Sequence, residues 1–114
     1  MARTAPSDFE PVNSISIVGR LAATPEEREL PSSDVVVTCR VVVPRGDGKV
    51  DTLECAAWSA GMRKRLLAWA TGDVVSIEGE LHRRFWRAAS GPASRYEIEV
   101  LGAKRVSKAS QASA

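Results

Sequence analysis

The fold is decided by residues 51–86, which read DTLECAAWSAGMRKRLLAWATGDVVSIEGELHRRFW. Within this stretch the hydrophobic period changes twice. Apolar and polar residues alternate over 51–58 and again over 74–86, which is typical of half-buried strands. Between them, over 60–71, apolar residues recur at helical spacing while basic residues crowd the other side, which predicts one amphipathic helix. The stretch therefore predicts a strand, a helix and a strand in that order.

Three further strands are predicted outside this stretch. Residues 12–21 alternate with a period of two, residues 35–43 are rich in Val, and residues 96–101 alternate again. The chain order is then three strands, one helix and two strands. This is the connectivity of the OB-fold, an all-β, five-stranded antiparallel Greek-key barrel with one helix between strands three and four. Such barrels commonly bind oligonucleotides.

The alternation also predicts which side chains face the barrel interior. Leu81 and Phe85 in the fourth strand and Tyr96 in the last are predicted to point into the core, whereas Val36 in the second strand is predicted to face outward. Trp69 shares the spacing of the apolar residues of the helix, so it is predicted to pack rather than to bind a ligand.

The composition and charge describe one small domain. The 114 residues are 44% hydrophobic and 26% charged, and the formal net charge is only +2. The charge is uneven, because residues 1–34 carry three basic and six acidic groups and residues 81–114 carry seven basic and two acidic groups. We expect a flexible arm over residues 1–11, the folded domain over 12–106 and a short disordered tail over 107–114.

The expected location is cytoplasmic and nucleoid-associated, with no membrane partner. The chain starts without the apolar segment of a signal peptide, and its longest aliphatic runs have three residues. Cys39 and Cys55 each lie in an apolar run and fit no zinc or redox spacing. They are therefore predicted to be reduced packing residues.

The segment most specific for function is residues 79–87, GELHRRFWR. On a strand, His82, Arg84 and Trp86 share one face, so an indole stands beside a guanidinium. Guanidinium groups neutralise phosphates and every base has a π-face that can stack on an indole, which is the chemistry that single-stranded nucleic acid requires. Trp58 is also at an outward position of its strand. The predicted DNA-binding residues are Thr38, Arg40, Thr52, Trp58, His82, Arg83, Arg84, Trp86 and Arg87.

These residues also have a purely structural interpretation. A single Trp on a strand is more often core or interface, and outward arginines are usually only solvated. Binding is favoured because Trp58 and Trp86 both lie on polar strand faces and because no acidic residue lies between Leu81 and Tyr96. For the basic residues 63–65 two interpretations remain: they form a helix face that is only solvated, or they guide the DNA around the outside of the barrel.

Five segments occur in the order and spacing of a known family. They are residues 12–21 (VNSISIVGRL), 25–28 (PEER), 72–81 (GDVVSIEGEL), 84–86 (RFW) and 95–97 (RYE). With them, the chain resembles the bacterial single-stranded DNA-binding protein family. The resemblance implies an OB-fold, binding of single-stranded DNA without strong sequence preference, and a homotetramer that wraps the strand. It also implies stacking roles for Trp58 and Trp86 and a basic contact at Arg84.

The chain departs from the family's pattern on the binding face and at its C-terminal end. Thr52 stands where the family has a Trp, the hairpin over 44–50 is short, and Glu54 puts a negative charge on the binding face unless Arg40 or Arg84 neutralises it. The chain ends in small and basic residues where the family has an acidic tip that recruits other enzymes. We therefore expect no recruitment through such a tip, and an accessory role in replication, recombination or repair.

Two alternatives come from other classes of protein. Glu78, Glu80 and His82 alternate on one strand face and would suit a divalent metal. No catalytic triad and no phosphate-binding glycine loop accompany them, so no enzyme, metal or cofactor is predicted. The other alternative is an OB-fold protein-interaction module of a replication-restart (primosomal) complex with weak DNA binding.

Overall fold

The computed structural model describes residues 8–109, which contain six strands and one helix. In chain order they are β1 (Ile15–Leu21), β2 (Glu26–Glu29), β3 (Val35–Pro44), β4 (Val50–Ala57), α1 (Ala60–Leu67), β5 (Val74–Ala88) and β6 (Gly91–Ser107). Residues 1–7 of the predicted arm and residues 110–114 of the predicted tail lie outside the described residues.

Five of the strands close into a ring. Their hydrogen-bonded order is β1-β5-β6-β4-β3, and β3 pairs again with β1. The pairings are antiparallel except that of β4 with β6, which run parallel at Cys55–Ile98 and Ala56–Glu99. A closed ring of five strands with a helix between β4 and β5 confirms the predicted OB-fold.

The sixth strand, β2, is additional to the five strands that the sequence predicts; in the loop over 22–34 the sequence suggests only a short paired extension around residues 28–30, and β2 begins two residues earlier. It reads EERE, and all four of its residues are exposed, so it has no hydrophobic alternation by which to recognise it. It pairs with the first half of β3, and β1 pairs with the same edge of β3 closer to the end of that strand. This pairing places Arg28 opposite Val36, at the margin of the outer face of the barrel.

Aliphatic side chains from the ring strands and from α1 fill the barrel interior. The largest fully buried ones include Leu66, Ile77, Val37 and Val41. Trp69, two residues after the end of α1, is also buried in this core, which confirms its predicted packing role. Burial of this apolar surface provides most of the driving force for folding, at about 25 cal/mol per Å².

The two cysteines are free thiols in the core, as the sequence predicts. Cys39 and Cys55 are directly paired residues of β3 and β4, and both are buried. The neighbouring Cys39 thiol and burial raise the pKa of Cys55. Because the thiolate is the reactive form, burial and the raised pKa both disfavour reaction at the Cys55 thiol.

The strands β5 and β6 extend beyond the barrel as a hairpin with a two-residue turn at Ala89 and Ser90. Outward from Leu81 they pair only with each other, because β1 reaches no further than Gly79 and β4 meets β6 only near Ile98. The predicted core positions of Leu81, Phe85 and Tyr96 are therefore wrong. These side chains are 42%, 70% and 58% exposed, because the strand face on which they lie extends past the barrel interior.

The helix α1 ends earlier than the sequence predicts. Ser59 caps its start by accepting a hydrogen bond from the N–H of Met62, and its last residue is Leu67 instead of residue 71. The chain then turns, with Gly72 at a φ of +89° that favours glycine. Among residues 8–109, no helix has the length and apolar character that crossing a membrane requires.

Asp73 holds this turn to the end of β6. Its buried carboxylate accepts hydrogen bonds from the N–H of Ala70 at 2.9 Å and from the N–H of Ala109 at 2.8 Å, and Arg105 lies 3.5 Å away. These contacts, the Ala70 hydrogen bond most of all, lower the pKa of Asp73 against the opposing effect of burial. The contact also places Ala109, a residue of the predicted tail, against the barrel.

Replacing Asp73 by Asn should make stability less sensitive to acid. Because the folded-state pKa is lowered, the carboxylate contributes stability above its unfolded pKa of about 3.9, and this contribution is lost as the pH falls through the folded pKa. We expect Asp73→Asn to cost about 1–3 kcal/mol at neutral pH and progressively less in acid. Urea unfolding across this pH range measures the difference. A constant difference between the variants at all pH values would contradict it, and Asp51→Asn, at an exposed carboxylate, is the control.

Candidate nucleic-acid interface

The outer face of the barrel carries a groove of about 410 Å³ beside the β5–β6 hairpin, which we call the outer groove. Polar and aromatic side chains from several elements line it. They are Arg28, Thr38, Trp58, Arg84, Phe85, Trp86, Arg95 and Glu97. Val36 and Ala56 also line the groove, and both are buried although they lie on outward faces of their strands. Val36 thus lies on the predicted outward face, and it is buried because the groove walls cover it.

Trp58 directly follows β4, lines the outer groove and is half-buried there. The guanidinium carbon of Arg84 lies 4.5 Å from the centre of the Trp58 ring, within cation–π range. The same guanidinium is 3.4 Å from a carboxylate oxygen of Glu97, which is itself buried. Arg63 of α1 donates to the carbonyl oxygen of Trp58. One of the basic residues of the helix thus supports the groove instead of lying free in solvent.

Trp86 lies on the hairpin and is 46% exposed. The guanidinium carbon of Arg95 is 5.7 Å from the centre of its ring. Arg95 is paired with Arg84 across the hairpin, so both arginines are on the same face as Trp86. Each indole of the groove therefore has a guanidinium beside it.

Arg28 and Arg95 line the groove although the sequence did not predict them as interface residues. Arg95 would have followed from the register of the hairpin, in which Trp86 pairs with Ala93. That register depends on a turn of two residues, whereas the small residues around it suggest a longer loop. Arg28 lies on β2, whose sequence has no alternation that would reveal a strand.

The three predicted contacts on β3 and β4 have different positions. Thr38 lines the outer groove. Arg40 shares the outward face but forms an ion pair with Glu54, with 2.8 Å between Nε and Oε2. Glu54 is thus neutralised by Arg40, one of the two arginines that the sequence offered for this. Thr52 is exposed, is paired with Val42 and is not among the residues that line the groove.

The remaining predicted residues are divided between the two faces of the hairpin. His82 is on the face of Arg84 and Trp86, with its ring nitrogens 3.0 Å from Glu80 and 3.5 Å from Glu99. Arg83 and Arg87 are on the opposite face by strand alternation. The structure therefore brings Trp58, Arg84, Trp86 and Thr38 together, and it separates Arg83 and Arg87 from them.

Among the described residues, Glu80, His82 and Glu99 form the group that could hold a divalent cation. One donor atom from each lies within 4.8 Å of the others. The sequence suggested Glu78 as the third member, but β6 supplies Glu99 directly opposite Glu80 instead. Without a cation, the two carboxylates already share the His82 ring, so this group is an ion-pair network on the face that also carries Trp86.

The relation of this chain to known proteins agrees with the fold and the groove. A family model described as the Single-strand binding protein family matches residues 12–107. The matched range includes every strand from β1 to β6 and every residue that lines the outer groove. The chain belongs to the Single-strand binding protein family.

Proposed function

We propose that the outer groove binds single-stranded DNA without sequence preference, with bases stacked on Trp58 and Trp86 and phosphates contacted by Arg84 and Arg95. Proteins of this family bind single-stranded DNA and are not enzymes, so the general activity follows from membership. One observation carries the site: two indoles, the half-buried Trp58 and the exposed Trp86, share one groove on the face of an OB-fold, and each has a guanidinium beside it.

The absence of sequence preference follows from the chemistry of these side chains. An indole stacks on the π-face of any base, and a guanidinium pairs with a phosphate that every nucleotide carries. Neither contact reads the hydrogen-bonding edge of a base. Stacking contributes about 1–3 kcal/mol per base, so two indoles are enough for appreciable affinity.

Ion pairing weakens part of the electrostatic attraction of the groove to phosphates. Arg84 has a glutamate partner, Glu97, at 3.4 Å, and must share its charge between that carboxylate and a phosphate. Within residues 8–109, the other two arginines of the groove, Arg28 and Arg95, have no carboxylate within 4.0 Å. Tryptophan fluorescence responds to stacking and is the most direct test of the proposed site.

Adding oligo-dT to the protein should quench the fluorescence of Trp58 and Trp86. Trp69 is buried in the core and away from the groove, so it provides an internal control. In a Trp58→Phe/Trp86→Phe variant, the remaining Trp69 signal should not change when DNA is added. A wild-type titration without quenching at low salt would contradict the proposed site.

We further propose that the protein assembles into a homotetramer, as the family resemblance implies. Val18, Leu101 and Val106 are each more than half exposed and lie outside the outer groove. Apolar side chains of this kind are often covered at interfaces between subunits. Sedimentation equilibrium should give the mass of four chains, and the mass of one chain would contradict the assembly.

We also propose a cellular role for this binding. The protein coats and protects single-stranded DNA at the nucleoid, as an accessory factor in replication, recombination or repair. The alternative, a protein-interaction module of a replication-restart complex with weak DNA binding, would quench the fluorescence of Trp58 and Trp86 only at much higher concentrations of DNA. The quenching experiment therefore separates the two functions.

A further inference from the structure

The β5–β6 hairpin has a second face that contributes only Phe85, at the edge between the two faces, to the lining of the outer groove. It carries Leu81, Arg83, Phe85 and Arg87 from β5 and Tyr96 from β6, and we call it the second hairpin face. Within residues 8–109, no strand other than β5 and β6 pairs with this part of the hairpin. The face is therefore open, and its two aromatic rings are mostly exposed.

Arg83 organises the aromatic rings of this face. Its guanidinium carbon is 5.0 Å from the centre of the Phe85 ring and 5.6 Å from that of Tyr96. Its Nε and Nη2 donate to the hydroxyl oxygen of Ser94 at 3.3 and 3.1 Å. The hydroxyl and the rings position the guanidinium in an exposed setting where most arginines would be unconstrained.

The arginines of the second hairpin face are not neutralised by carboxylates. Within residues 8–109, neither Arg83 nor Arg87 has a carboxylate within 4.0 Å, whereas Arg84 in the outer groove has Glu97 at 3.4 Å. The residues paired with this face from β6 include Pro92 and Ser94, which are neutral. The face thus combines two positive charges with two exposed rings and an apolar Leu81.

We propose that the second hairpin face is a second contact surface for single-stranded DNA, a proposal that rests on the function proposed for the outer groove. Phe85 and Tyr96 stack bases there, and Arg83 and Arg87 contact phosphates. Exposed aromatic rings interleaved with unpaired arginines are the features that bind single strands without sequence preference. A strand that leaves the groove past Trp86 continues around the hairpin onto this face, so the hairpin is held from both sides.

A second copy of the chain is a less suitable occupant of this face. In a symmetric contact the same patch meets itself, which brings Arg83 and Arg87 close to their own copies. The face has no carboxylate of its own among the described residues to offset that repulsion, and such like-charge contacts are costly. DNA supplies the missing negative charge.

The test compares short and long strands on the full chain. One OB-fold occupies about 4–16 nucleotides, so oligo-dT of about 8 nucleotides fills the outer groove and oligo-dT of about 30 nucleotides reaches further. Tyr96→Ala should weaken binding of the long strand by about fivefold or more and leave the affinity for the short strand unchanged. Tyr96→Phe keeps the ring and should bind the long strand like the wild type.

A second variant tests the charges independently of the ring. Arg83→Gln/Arg87→Gln should reduce the slope of log affinity against log salt for the long strand by about 0.7 for each phosphate that the variant no longer neutralises. Leu67→Ala, at an exposed residue of α1, is the control and should change neither quantity.

The outcomes separate this inference from the function on which it rests. Quenching by both strands in the wild type, with unchanged long-strand affinity in both variants, overturns the second hairpin face alone. A changed mass in sedimentation of Tyr96→Ala also overturns it, because the face is then a contact between subunits. Absence of quenching in the wild type overturns the outer groove, and the inference with it.

Discussion

Replacing both Trp58 and Trp86 by alanine should remove most of the affinity for single-stranded DNA. Each indole lines the outer groove beside a guanidinium, and each stacked base contributes about 1–3 kcal/mol. A single Trp86→Ala change should therefore weaken binding by roughly 5- to 150-fold, and the double variant should lose about twice that free energy. The loss should be similar for dT, dC and dA strands, because stacking tolerates any base.

Two controls make this loss specific to stacking. Trp86→Phe keeps an aromatic face at the same position and should retain a large part of the affinity. Leu67→Ala removes a partly exposed apolar side chain on α1, away from the groove, and should not change the affinity. If Trp86→Ala binds DNA as tightly as Leu67→Ala does, the indole has a structural role only. Unfolding in urea should confirm that each variant is folded.

Replacing Gly79 by alanine should strongly destabilise the fold. A Cβ atom at this position would lie 1.9 Å from the carbonyl oxygen of Glu99 and 2.9 Å from its carbonyl carbon. These are backbone atoms of the paired strand, so the contact cannot be relieved by a change of rotamer. Gly79 also sits at a β-bulge, where Glu78 pairs with Gly102, Gly79 pairs with Val100, and Leu101 has no partner. We expect a loss of about 3 kcal/mol or more in the free energy of unfolding.

Gly61 provides the matched control for this change. It lies inside α1, and a Cβ atom there would meet nothing within 4 Å. Gly61→Ala should therefore stabilise the protein by about 0.5–1 kcal/mol through the helix propensity of alanine. Urea unfolding of both variants compares them directly. Equal urea midpoints for Gly79→Ala and the wild type would contradict the prediction. They would show that β6 can move away from β5 with little loss of unfolding free energy.

The sequence predicted the architecture well because the barrel depends on a hydrophobic pattern. The alternation in the ring strands and the helical spacing before Trp69 both reflect burial against one common core, so the order of elements could be inferred from the sequence. The bounds of β2 could not be predicted in this way. Its four exposed residues are held by backbone hydrogen bonds to β3, and such bonds leave no pattern in the side chains.

The candidate site was predicted in part. The shared face of Arg84 and Trp86 follows from a period of two, which is a property of any strand. Arg95 and Glu97 could not be assigned, because their positions depend on which residues of β6 are opposite those of β5. The neutralisation of Glu54 by Arg40 could not be assigned from the sequence for the same reason. It depends on the register of β3 against β4, which places the two residues opposite each other.

By itself, then, the sequence determined the OB-fold order, the packing role of Trp69 and the outward faces on which Trp58, Arg84 and Trp86 lie, because these follow from local periodicity. The tertiary structure alone decided what each face meets. Alternation gives every strand two faces, and it placed Leu81, Phe85 and Tyr96 on the correct one. Whether that face is buried depends on how far the barrel extends, and β1 and β4 end before the hairpin does. For this reason three predicted core residues became an exposed surface.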